Sequence, residues 1–216
     1  MTTEFQILLM TAASVGFLHT ILGPDHYLPF IMIGKAREWT LRKTLWLTFA
    51  CGVGHVLSSV VIGLVGIAIG AQLQKLEWLE GFRGNLAAWA FIAFGLAYAV
   101  WGLKHVFAPA RKKLKEDSAA KSTRITPWVL FIIFVLGPCE VLIPVLMYPA
   151  ANESIGALLA VIGVFGVTTL VTMMGAVFLA SYGLSFISIK PLEKYTHTIA
   201  GMVIFLSGMA IQVLGL

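Results

Sequence analysis

Six apolar runs, roughly residues 5–33, 45–71, 86–104, 128–149, 155–182 and 196–215, decide what this chain can become. Each approaches or exceeds the twenty or so residues a helix needs to cross about 30 Å of hydrocarbon. A chain of 216 residues, 59% hydrophobic and 12% charged, is far too apolar for a soluble domain. The runs predict an all-α, polytopic membrane protein of six transmembrane helices. The first run starts near Met1, with no basic stretch and no small-residue cleavage site before its polar motif. It is expected to be a retained span rather than a removed signal.

The formal net charge of +5 would raise nucleic acid as a partner, but its distribution points to the bilayer. Thirteen of the fifteen Lys and Arg fall in the odd-numbered connections, and only Lys75 and Arg83 fall in an even one. The positive-inside rule makes the odd connections cytoplasmic. Both termini then face outward, in a cell's inner (plasma) membrane. No Lys or Arg falls in the core of any run, which leaves an anionic cargo without an obvious partner.

The two halves resemble each other at a shift near 113 residues. GPDHYLP at 23–29 faces GPCEVLIP at 137–144, and GLAYAVWGL at 95–103 faces GMAIQVLGL at 208–216. GVGHVLSSVVIG at 52–63 corresponds loosely to GVFGVTTLVTMMG at 163–175. Three spans per half is an odd number, so the second half enters the membrane from the opposite side. The expected architecture is two inverted three-helix repeats, 1–104 and 128–216, joined by a basic cytoplasmic linker, 105–127. Such repeats place a site near the midplane where they meet.

Each half opens with a Gly-Pro inside an apolar run. On an unbroken helix His19 and His26 would share a face but stand about 10.5 Å apart along the axis. Pro24 and Pro29 remove the helical bonds to the carbonyls of Thr20 and Asp25, and Pro138 and Pro144 those to Phe134 and Glu140. Helices 1 and 4 are therefore expected to be broken. Non-helical backbone at membrane depth is tolerated only where protein buries it or where it lines a wet cavity.

Ionisable groups inside spans mark functional sites. The candidate metal ligands are His19, Asp25 and His26 in the first motif, His55 in the second span, and Cys139 and Glu140 in the second motif. Imidazole favours nickel, zinc, copper or iron over magnesium and calcium. Three intramembrane histidines thus predict a divalent transition metal, with Asp25 and Glu140 also suited to orienting the rings. Cys51 reads as a small apolar filler. His105 and His197 read as interfacial residues at span ends. Thr168, Thr169 and Thr172 either line a path or join helices. Trp39, Trp46, Trp78, Trp89 and Trp128 fall near expected span ends, as interfacial aromatics do.

His19 with Gly-Pro-Asp25-His26, then Gly54-His55-x-x-Ser58, then Gly-Pro-Cys139-Glu140 resemble the nickel/cobalt transporter-like membrane proteins, closest to their UreH-like, sulfite-exporter-like group. The wider relatives include the DsbD/CcdA thiol-disulfide electron carriers and the LysE-type exporters. Five residues separate His19 from Asp25, where the permeases have four, and the 104–127 linker lacks a His-rich loop, so the direction of transport stays open. The resemblance implies a transporter rather than an enzyme, with nickel or cobalt as cargo and no organic cofactor. A second copy of the chain and a metalloenzyme awaiting its metal are the further partners it admits. Two alternatives stand beside it: a thiol-disulfide electron carrier using Cys51 and Cys139, and an exporter of a small sulfur oxyanion.

Overall fold

The computed structural model describes residues 3–107, 125–139, 141–152, 154–185 and 194–214, and contains no strand among them. The helices are α1 (Thr3–Leu22), α2 (Leu28–Ala36), α3 (Leu41–Ala68), α4 (Leu73–Val106), α5 (Ile125–Leu136), α6 (Leu142–Asn152), α7 (Ile155–Ser185) and α8 (Thr196–Leu214). A 3-10 turn, Pro24–His26, separates α1 from α2. Among the described residues α1, α3, α4, α7 and α8 are long and apolar enough to cross a membrane. The protein is an all-α, multi-pass membrane protein.

Both expected breaks are present. Gly23 leaves the helix at φ −89°, ψ 92°, although its N–H still reaches the His19 carbonyl at 3.1 Å. Pro24 opens the 3-10 turn, and Pro29 sits in the first turn of α2, where a missing N–H leaves no bond unmade. In the second half α5 ends at Leu136 and α6 begins at Leu142, whose N–H bonds the Cys139 carbonyl at 2.8 Å. At 12 and 11 residues, α5 and α6 are each too short to cross alone. They flank their Gly-Pro as α1 and α2 flank theirs.

The packing interleaves the halves. α1 lies on α7, and the corresponding helix of the second half, α5, lies on α3. Gly52 of α3 abuts Leu170 and Met173 of α7, while Val56, one turn later, abuts Gly166, one turn earlier, so the two run antiparallel. α4 and α8 also run antiparallel: Gly95 meets Gly201 and Phe205, and Gly102 meets His197 and Thr198. Repeat-equivalent helices that lie antiparallel are what an inverted repeat requires.

The third span departs from expectation. α4 has 34 residues, about 51 Å of helix, and begins at Leu73 rather than near 86. Lys75 and Arg83, read above as loop residues, lie within it. Hydropathy averages over Lys75, Glu77, Glu80 and Arg83 and so ends the span early, because it cannot register that Glu80 and Arg83 pair with each other. Nor does Trp89 mark a helix end: it is exposed at the middle of α4.

Candidate metal centre

The break after α1 turns the chain so that His26 faces back towards His19, and α3 brings His55 to the same point. The ring centroids of His19 and His26 are 4.6 Å apart, those of His26 and His55 5.0 Å, and those of His19 and His55 6.1 Å. One nitrogen from each ring falls within 4.8 Å of the other two. An ion bonded to imidazole at about 2.0–2.1 Å needs tetrahedral nitrogens about 3.4 Å apart. Side-chain rotations of about an ångström would close that difference.

The outer ring nitrogens define which atoms face inward. His26 Nδ1 lies 3.0 Å from the Gly23 carbonyl, and His55 Nδ1 lies 3.3 Å from the Phe134 carbonyl. A carbonyl only accepts, so each Nδ1 is the protonated, donating nitrogen. This leaves Nε2 of both rings with a lone pair, and the Nε2 atoms of His19, His26 and His55 are all buried without a hydrogen-bond partner. Buried polar atoms are rarely left so. A ring whose far nitrogen is held by a carbonyl and whose near nitrogen is open is the usual posture of a metal-binding imidazole.

Both breaks contribute directly. The Phe134 carbonyl is the one that Pro138 releases, and it takes the His55 ring. Gly23 is required by contact rather than by its torsions. A Cβ there would lie 2.5 Å from His26 Nδ1 and 3.0 Å from Asp25 Oδ1. Gly23→Ala is accordingly expected to swing His26 out of the cluster and weaken nickel binding by about tenfold or more, with the helical circular dichroism unchanged. Wild-type affinity in that variant, measured by calorimetry, would remove the contact from the account.

Asp25 joins from the side. Its Oδ1 is 3.2 Å from His26 Nδ1, within ion-pair distance, while the hydrogen bond of that nitrogen goes to the Gly23 carbonyl, so Asp25 Oδ1 is itself a buried atom without a hydrogen-bond partner. Cys139 is buried in the apolar cluster with Val56, Leu142 and Leu146, and its backbone N–H donates to Glu80. Cys51 lies in a different cluster, with Phe30, Phe134 and Met173, and neither cysteine is in a disulfide. Glu140 lies outside the described residues. His197 and His105, read above as interfacial, are built into the α4–α8 seam: Tyr98 Oη and His197 Nδ1 are 2.9 Å apart, and His105 stacks on Trp101.

Two residues beside the site were missed. Glu80 is fully buried and Arg83 nearly so, and Arg83 bonds Glu80, Ser58 and the carbonyls of Val135 and Gly137. Arg83 thus lies inside α4, a helix long and apolar enough to cross a membrane, rather than in a loop. The available signal was spacing: opposite charges three apart share a helix face.

Fold and site together define a multi-pass, all-α membrane protein with two broken helices and a buried histidine cluster. Residues 27–210 match the family described as the cytochrome c biogenesis protein transmembrane region, and the chain belongs to it. This places it in the DsbD/CcdA-type superfamily, without singling out the nickel/cobalt transporter-like branch. The description stands nearer to the thiol-redox alternative than to metal transport. The matched segment starts at Tyr27, one residue past the Gly-Pro-Asp-His motif. Neither the curated proteins nor the solved structures contain a match.

Proposed function

We propose that this protein binds a divalent transition-metal ion, nickel or cobalt first, at His19, His26 and His55 and carries it across the membrane. The observation that supports this is that His19, His26 and His55 bring one ring nitrogen each within 4.8 Å of the other two, and each ring has a buried Nε2 without a partner. The ion is cargo, held by three residues of the first half where they meet the second helix break, and rocking of one repeat against the other would expose it to each side in turn. The basic connections would face the cytoplasm and the termini outward. A second copy of the chain, or an enzyme that receives the ion, would be its protein partner.

The thiol-disulfide reading has its own support in the family match. In that reading Cys51 and Cys139 would pass electrons by closing a disulfide, which needs Cα atoms within about 7 Å. Their burial in separate apolar clusters argues against such a bond in this conformation. The repeat counterpart of Cys139 is Asp25, not a cysteine. The anion-exporter reading gains a buried cation in Arg83, but Glu80, two serines and two carbonyls already engage its donors.

The deciding experiment is equilibrium binding of nickel, cobalt, zinc, manganese and magnesium to detergent-purified protein, beside a Cys51→Ser/Cys139→Ser double variant. One saturable transition-metal site, unchanged in the double variant, is the expected result. No binding in either protein, with a Cys51–Cys139 disulfide forming under mild oxidant, would replace metal carriage with electron carriage.

A further inference from the structure

The buried Glu80–Arg83 pair belongs to α4, yet nearly all its partners lie in α3 and at the second helix break. Ser59 Oγ donates to Glu80 Oε2 at 2.8 Å, and the Cys139 N–H donates to the same oxygen at 3.0 Å. Arg83 donates to Ser58 Oγ at 2.7 Å, the Val135 carbonyl at 2.7 Å and the Gly137 carbonyl at 3.3 Å. A helix that ends inside protein leaves carbonyls unbonded at its C-terminus and N–H groups unbonded at the next N-terminus. Its dipole puts negative charge at the first and positive at the second. Arg83 lies at the C-terminal end of α5 and Glu80 lies at the approach to α6, each the sign that its end attracts.

The same contacts reach His55 twice. Ser58, which takes a bond from Arg83, donates to the His55 carbonyl at 2.8 Å. The Phe134 carbonyl that holds the His55 ring belongs to the turn whose Val135 and Gly137 carbonyls Arg83 grips. Gly84, on α4 beside Arg83, leaves room for Pro138, since a Cβ there would stand 2.7 Å from the proline Cγ.

We infer that Glu80 and Arg83 form a latch across the second helix break that positions His55 for the ion. They are positioning residues and touch no cargo. The latch itself is independent of what the protein carries; its effect on the ion rests on the metal-carrier reading.

Two measurements test this on the whole protein. The first uses no metal: the rate at which N-ethylmaleimide modifies Cys139 relative to Cys51, read by peptide mass spectrometry. Arg83→Lys keeps a charge beside Glu80 but lacks the planar fork that spans Ser58 and two carbonyls. Glu80→Gln keeps the volume. Each variant is expected to raise Cys139 labelling about tenfold and leave Cys51 unchanged. Equal rates for Cys139 in variants and wild type would overturn the latch. The second is nickel affinity in a cycle of Arg83→Lys and His55→Ala. Arg83→Lys is expected to weaken binding by about ten- to a hundredfold, and to add nothing once His55 is gone, since residues that act through one another are non-additive. Additive losses, or wild-type affinity in Arg83→Lys, would overturn the positioning of His55. Absence of nickel binding by the wild type would count against the carrier reading, and the labelling rates would then decide the latch alone.

Discussion

His26→Ala is expected to yield a folded, membrane-inserted protein that no longer holds nickel. His26 is the middle member of the cluster: its ring lies 4.6 Å from His19 and 5.0 Å from His55, while those two are 6.1 Å apart. Removing it leaves the most distant pair. Loss of an outer-shell partner alone costs about ten- to a hundredfold in metal affinity, so loss of the central ligand should cost at least the larger figure. The effect on folding is smaller. The deletion leaves a small hole beside Asp25 and takes the ring donor from the Gly23 carbonyl, a penalty on the order of 1–3 kcal/mol. The α4–α8 seam does not depend on this ring. Calorimetric titration with nickel, alongside thermal unfolding followed by circular dichroism, separates the two effects. Undiminished binding by a well-folded variant would sink the three-histidine site.

How far the site could be read in the sequence follows from the range of each interaction. A proline acts on the carbonyl four residues back, so both breaks were visible in Gly23-Pro24 and Gly137-Pro138, and both are present. The release of the Phe134 carbonyl was visible for the same reason, but its acceptor role was not, because His55 lies 79 residues away. That His19 and His26 could not meet on an unbroken helix was simple arithmetic; that the 3-10 turn brings their rings to 4.6 Å needed coordinates. Cys139 also carries a backbone role: its N–H makes a contact with Glu80, and no residue code carries that information. Arg83 and Glu80 were hidden by averaging: paired charges cancel in space but both count against a hydropathy window.

The largest loss of stability is expected from Gly201→Val, in the seam between α4 and α8. Helices in lipid gain little from the hydrophobic effect when they associate, so they depend on close packing through small residues. A Cβ on Gly201 would lie 2.6 Å from Ala99 Cα and 2.7 Å from the Gly95 carbonyl oxygen. These are backbone atoms, which no rotamer change can move. Valine adds two methyl groups to that conflict, so the cost should exceed the usual 1–3 kcal/mol or so of overpacking. The contrast with Gly23 is one of kind. There the obstacle is largely a histidine ring, and the site should fail while the fold persists. At Gly201 the fold should fail first, and nickel binding with it, because α8 also supports α2 and the Pro24–His26 turn. Gly175→Ala on α7 supplies the control, since a Cβ there meets nothing within 4 Å. It should be neutral or stabilise by up to about 1 kcal/mol through helix propensity. Monodispersity on gel filtration and the thermal midpoint in detergent read both variants. A Gly201→Val protein as stable as wild type would mean that the α4–α8 seam is not the contact on which the bundle depends.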